Sequence, residues 1–158
     1  TPTSYTGYVS KSFSNIPMRM LPRNGFVVSV GNGEQSEECF EWAMKNIVPM
    51  SDGKTTFCFG EQTDRKLINK VSTKSKYEIG LTTIEFRQLL DKSQMHYGHC
   101  GYNTFTDVIS TKTPSVWFAK KTSSDQQLRI DLWNKRPIRN LNMNGIEWTK
   151  DFLNRIGM

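Results

Sequence analysis

The chain has 158 residues, of which 36% are hydrophobic and 11% aromatic, and this composition fits one folded domain with one core rather than a disordered polypeptide. Its 21 Lys and Arg residues outnumber its 15 Asp and Glu residues, so the formal net charge is +6. This excess favours a polyanionic partner, although it also keeps a protein in solution. Because the first residues are polar, we expect no signal peptide or membrane anchor there.

The predicted domain organisation is an N-terminal arm over residues 1–22 and a single α/β domain over residues 23–158. The chain begins at Thr1 rather than Met, which indicates a processed product or a piece of a longer polypeptide. Three cysteines, Cys39, Cys58 and Cys100, match no zinc or disulfide spacing. We therefore expect buried free thiols and a reducing, cytoplasmic location. We also expect no metal, no cofactor and no membrane partner.

Residues Gly25–Gly60 predict a β-α-β unit. A β-branched and aromatic run ends at Gly31, Asn32 is expected to cap a helix with Gln35 completing a capping box, and Thr55–Phe59 predicts the next buried strand. The expected buried stripe of the helix is Cys39, Phe40, Ala43, Met44 and Ile47. Trp42 lies off this stripe, so it either widens the buried face or is exposed at a contact surface.

The following segments continue the alternation of helix and strand. Asp64 is expected to cap a short helix, Lys76–Leu81 alternates polar and apolar residues as a strand does, and Thr82 with Glu85 predicts a capping box for a third helix. This order predicts an α/β fold with a mostly parallel sheet flanked by helices.

The C-terminal part of the chain is predicted to hold a β-hairpin and a helix. Residues 95–113 stay open between loop, strand and helix, whereas Ser115–Lys120 and Gln127–Trp133 are predicted to pair as antiparallel strands. Asn144 and Glu147 then predict the start of a final helix.

The segment VVSVGNGEQSEECFEWAMKNIVP, residues 27–49, resembles the opening strand and helix of the universal stress protein family. That family consists of nucleotide-binding or nucleotide-free α/β domains of similar length. Gly98 and Gly101 match the first half of its ATP signature, but Thr111 and Lys112 stand where the signature has glycine and then Ser or Thr. The resemblance thus implies the α/β architecture and no nucleotide site of that type.

The functional hypothesis that we draw from the sequence is a non-catalytic domain that binds an anionic partner, most simply single-stranded RNA. Cationic side chains interleaved with aromatic rings suit phosphates and stacked bases. They are concentrated near the C-terminus, and the residues predicted to contact RNA are Lys120, Lys121, Arg129, Trp133, Lys135, Arg136 and Arg139.

An alternative hypothesis is a small-molecule or nucleotide site where strands end, over Gly31–Glu34 and Gly60–Asp64. Its candidate residues are Gly31, Asn32, Gly33, Glu61 and Asp64. The glutamates after Gly33 would repel a phosphate. Carboxylates here could instead hold a divalent cation, with solvated helix starts as the simpler interpretation.

Two further interpretations stay open. His96, His99 and Cys100 could serve nucleophilic or metal chemistry, although incidental polar side chains of a loop are the simpler interpretation. The chain could also be a protein-interaction or assembly module excised from a larger, for example viral, polypeptide, with Trp42 or Trp133 as the anchor for its protein partner.

Overall fold

The computed structural model describes residues 22–31, 35–118 and 124–135. Within these ranges five strands alternate with five α-helices, and a 3₁₀ turn, Val48–Met50, follows the first helix. The elements are β1 Phe26–Ser29, α1 Ser36–Asn46, β2 Thr55–Phe59, α2 Arg65–Ile68, β3 Lys76–Ile79, α3 Thr83–Lys92, β4 Met95–His99, α4 Tyr102–Thr111, β5 Ser115–Phe118 and α5 Ser124–Lys135.

The strands form one sheet in the order β3-β2-β1-β4-β5, and every neighbouring pair is parallel. The predicted α/β class with a mostly parallel sheet flanked by helices is therefore confirmed. The chain first builds outward from β1 to β2 and β3, and then continues on the other side of β1 with β4 and β5. This reversal makes the gap between β1 and β4 the topological switch point of the sheet.

The two faces of the sheet are covered by different helices. On one face Val28, Phe57 and Tyr97 pack against the predicted stripe of α1, where Cys39, Phe40, Ala43 and Ile47 are buried and Met44 is partly buried. On the other face Val27 and Cys58 pack against Leu90 of α3 and Val108 of α4. Burial of apolar surface on both faces explains why the central strand β1 is so apolar.

The three cysteines are buried free thiols, as predicted. Trp42 is 41% exposed, and its ring stacks on that of Tyr97 with 4.5 Å between centroids. None of the helices in the described ranges combines the length and apolar character needed to cross a bilayer.

The predicted β-hairpin is wrong. Residues 127–133 lie in α5, and β5 pairs in parallel with β4 rather than with a later strand. The reason is the burial pattern: Gln126 and Ile130 are buried, Trp133 is partly buried, and Leu128 is 65% exposed. These spacings of four and three residues define one face of a helix, which the two-residue alternation had concealed.

Other parts of the sequence interpretation are corrected, completed or fall outside the described ranges. Helix α1 begins at Ser36, with Gln35 in the N-cap position in a left-handed conformation at φ 67°, and the expected cap Asn32 lies outside the described residues. The interval left open contains β4 and α4. Residues 1–21 of the predicted arm and the predicted helix after Asn144 also lie outside those ranges.

Candidate ligand site at the carboxyl edge of the sheet

All five strands are parallel, so their carboxyl ends lie along the same edge of the sheet. A glycine stands one or two residues after each of the first four strands, and these glycines are Gly31, Gly60, Gly80 and Gly101. Gly31 needs its positive φ of 77° for the turn after β1, whereas a Cβ added at Gly101 would meet nothing within 4 Å. The edge is thus open to a ligand near β1 and β4.

Two cavities lie along this edge, and Gly31 lines both. The larger has a volume of about 440 Å³ and is lined by the starts of α1 and α2; its polar lining includes Ser36, Glu37, Thr63, Asp64 and Lys70. Lys70 Nζ lies 2.9 Å from Glu37 Oε1, so the opposite charges of these two exposed lining side chains are paired with each other.

The smaller cavity, of about 210 Å³, lies between the ends of β1, β2 and β3 and the starts of α3 and α4. Its polar side chains are Ser29, Thr82, Thr83, Thr104 and Asp107, and Phe86 supplies an apolar wall. Hydroxyls and one carboxylate around an apolar wall are typical of a site for a polar organic ligand.

Asp107 is held by a buried ion pair. Arg87 Nε donates a hydrogen bond to Asp107 Oδ1 at 2.7 Å, and the Arg87 side chain is only 1% exposed. Burial raises the pKa of Asp107 above its ordinary value, and the Arg87 guanidinium opposes this rise. The pair joins α3 to α4 and fixes the carboxylate at the cavity wall.

Helix α4 begins directly after β4, with Gly101 in its N-cap position. The first N–H groups of a helix have no partner within the helix, and the helix dipole places partial positive charge there. Thr104, in the first turn of α4, lines the smaller cavity. This end of α4 therefore combines an anion-binding polarity with an unobstructed approach at the switch point.

His96, His99 and Cys100 belong to a buried strand and its end, so interpreting them as polar side chains of a loop is wrong. The ring nitrogens of His96 lie within hydrogen-bond distance of two serines, Ser29 at 2.6 Å and Ser115 at 2.7 Å. The His99 ring packs edge-on against Phe118 at 5.1 Å.

Burial lowers the pKa of His96 to about 3 and raises that of the Cys100 thiol to about 12. A neutral thiol is a poor nucleophile, so these values do not support thiolate chemistry. The described ranges contain no cluster of three His, Cys, Asp or Glu residues that could hold a metal ion.

The predicted ligand residues are partly brought together. Gly31 lines both cavities, and Asp64 lines the larger one, where its Oδ1 caps α2 by accepting the Lys66 N–H at 2.9 Å, as predicted. Glu61 packs beside Gly80 and lines neither cavity, whereas Asn32, Gly33 and Glu34 lie outside the described residues. Thr104 and Asp107 were missed because no element had been assigned to their segment.

The predicted RNA contacts receive no support from the described residues. Arg129 Nε donates to the Cys100 carbonyl at 2.8 Å and its Nη2 to Asp125 at 2.9 Å, which leaves the Arg129 side chain 12% exposed. Trp133 packs edge-on against Trp117 at 5.7 Å. Lys135 ends α5, while Lys120, Lys121, Arg136 and Arg139 lie outside the described ranges.

No family model matches this chain, and no curated protein matches it. A solved structure with a similar fold is that of a Listeria monocytogenes protein assigned as a UDP-N-acetylglucosamine 2-epimerase. The TM-score is 0.52, the sequence identity is 12%, and the similarity covers 95% of this chain and 41% of the other. At this identity the likeness shows the fold alone: an α/β domain that spans less than half of the Listeria protein.

Proposed function

We propose that this chain binds a nucleotide, most specifically a uridine diphosphate or its sugar conjugate, at the carboxyl edge of the sheet. The observation that carries the proposal is the geometry at the switch point. There, α4 starts with Gly101 directly after β4, beside a cavity lined by Gly31, Thr104 and Asp107. Open parallel sheets bind ligands at this position for the reasons of space and polarity given above.

The chemistry of the lining suits the two parts of such a ligand. A diphosphate would take backbone N–H groups in the first turn of α4, those of Asn103 and Thr104, where the absence of a side chain at Gly101 leaves room for its oxygens. Hydroxyl groups of a ribose or sugar would pair with the side chains of Thr104 and Asp107. The name of the Listeria protein adds a uridine nucleotide as the ligand to try first.

The test is calorimetric titration with UDP, UDP-N-acetylglucosamine, ADP and inorganic diphosphate. A Gly101→Val substitution places a branched side chain in the open space where the phosphates would lie, at a backbone φ of −65° that valine tolerates. We expect the variant to weaken UDP binding at least tenfold, since the branched side chain would occupy the place of phosphate hydrogen bonds to N–H groups.

Met50→Val is the matched control, because Met50 is exposed and follows α1 at the opposite edge of the sheet. It should bind UDP like the original protein. Absence of heat with all four compounds, or equal UDP affinity in Gly101→Val, would contradict the proposal. If poly(U) binds the original protein and Gly101→Val with the same affinity, the RNA hypothesis is favoured instead.

A further inference from the structure

Three side chains on three adjacent strands form a hydrogen-bonded row beneath the smaller cavity. His96 on β4 lies between Ser29 on β1 and Ser115 on β5, with Nε2 2.6 Å from Ser29 Oγ and Nδ1 2.7 Å from Ser115 Oγ. Of the three, only Ser29 lines the cavity. His96 itself is fully buried and therefore reaches a ligand only through Ser29.

The surroundings of His96 keep its ring in place and away from water. Trp117 packs against the ring with 5.1 Å between centroids, and Phe86 contacts it edge-on at 6.4 Å. Gly98 completes the arrangement, because a Cβ there would overlap the Ser29 hydroxyl. The Ser29 side chain can therefore lie over β4 only because Gly98 has no side chain.

The protonation of the ring limits what each serine does. Burial keeps His96 neutral, and a neutral imidazole has one N–H donor and one acceptor nitrogen. One serine therefore donates to the ring and the other accepts from it. If Nε2 carries the proton, it donates to Ser29 Oγ, Nδ1 accepts from the Ser115 hydroxyl, and the Ser29 hydroxyl proton is left to donate into the cavity.

We propose that His96 is a positioning residue that uses its Nε2–H tautomer to hold the Ser29 hydroxyl as a hydrogen-bond donor to the ligand. This inference rests on the proposed nucleotide function, because an oxygen-rich ligand requires a donor at this place in the cavity. In this tautomer the Ser115 hydroxyl, on the far side of the ring, donates to Nδ1. Binding of the ligand is thereby coupled to the protonation pattern of a residue that it does not touch.

The first measurement is the nitrogen spectrum of the two histidines in ¹⁵N-labelled protein, with His99→Gln used to assign them. Without ligand, we expect His96 to show a protonated Nε2 and an unprotonated Nδ1. Addition of UDP should then shift both His96 resonances, because the Ser29 hydroxyl changes its partner. A protonated Nδ1, or His96 resonances that bound UDP leaves unmoved, would overturn the inference.

The second measurement compares the UDP affinity of matched Ser→Ala variants. Ser29→Ala should lose about tenfold and abolish the UDP-induced shift of His96, since one hydrogen bond to a charged ligand is removed. Ser115→Ala should alter the His96 tautomer and lose about threefold, although it lines neither cavity. Ser110→Ala is the control, because Ser110 Oγ donates to Thr106 O within α4, and its affinity should be unchanged.

Ser29→Thr distinguishes a lost hydroxyl from a disturbed strand, because it keeps the hydroxyl and suits β-structure. It should retain UDP affinity within about threefold. If the original protein binds UDP and Ser29→Ala binds it equally well, the positioning role is wrong while the proposed function stands. If the original protein binds none of the nucleotides, the proposed function fails and the inference fails with it.

Discussion

Gly98 and Gly101 are three residues apart, yet an added methyl group would meet opposite surroundings at the two positions. At Gly98 it would overlap the hydroxyl and the carbonyl oxygen of Ser29, whereas at Gly101 it would meet nothing within 4 Å. In the sequence both glycines fall within residues 95–113, which stayed open between loop, strand and helix. The difference arises from the approach of β1 to β4, a long-range contact that the local pattern does not contain.

At the residue scale we therefore predict that Gly98→Ala lowers the free energy of unfolding by about 1–3 kcal/mol, the usual cost of overpacking an interior. Urea unfolding followed by tryptophan fluorescence measures this change. Gly101→Ala is the matched control and should cost less than about 1 kcal/mol, because only the cap preference of glycine over alanine is lost. Equal unfolding midpoints for the two variants would contradict the prediction.

Buried polar residues explain why the inner strand β4 could not be assigned from the sequence. His96 and His99 are both buried, although histidine alone does not indicate a core position. The hydroxyls of Ser29 and Ser115 satisfy the His96 ring, and both lie far from it in the sequence. A pattern of apolar residues cannot predict a strand whose buried polar side chains depend on hydrogen-bond partners that are distant in the sequence.

At the scale of single elements, local signals succeeded where the determining atoms are close in the chain. The capping box of α3 was predicted from the spacing of Thr82 and Glu85, and it is present: Thr82 Oγ1 accepts the Glu85 N–H at 3.2 Å, and Glu85 accepts the Thr82 N–H at 2.8 Å. The strand prediction for residues 127–133 was wrong because the exposed Leu128 obscured the helical spacing of Gln126 and Ile130.

We predict that Thr82→Ala lowers the free energy of unfolding by about 0.5–2 kcal/mol near neutral pH, because α3 loses its cap. The hydrogen bonds from the Thr82 N–H and hydroxyl lower the pKa of Glu85 below its ordinary value. A carboxyl with a lowered folded-state pKa stabilises the fold above its unfolded pKa, and this contribution is lost as the pH falls through the folded value.

The stability difference between Thr82→Ala and the original chain should therefore narrow on acidification, when Glu85 becomes protonated. Urea unfolding of both proteins at neutral pH and again in mild acid measures the stability difference and its change with pH. Thr83→Ala, one residue later and without a capping contact in the described structure, is the control. The variant keeps the backbone N–H of residue 82, so a difference that is the same at both pH values would refute the contribution of the Thr82 hydroxyl to the ionised form of Glu85.

At the scale of the whole molecule, the three thiols sample three different parts of the core. Cys39 packs in the cluster beneath α1, Cys58 in the cluster between the sheet and α3 and α4, and Cys100 in the cluster with Phe105, Ile109 and Ile130. Burial raises the pKa of each thiol to about 12. Native protein should therefore react slowly with a thiol reagent at pH 8, both because access is blocked and because little thiolate is present.

If the sheet and its helices unfold as one cooperative unit, all three thiols should become reactive with the same opening free energy. The measurement is thiol labelling across a urea series, resolved by site through mass spectrometry of the peptides. We expect three coincident curves that match the fluorescence transition. Earlier labelling of Cys100 alone would show that α5 and its cluster open separately, which would contradict a single cooperative core.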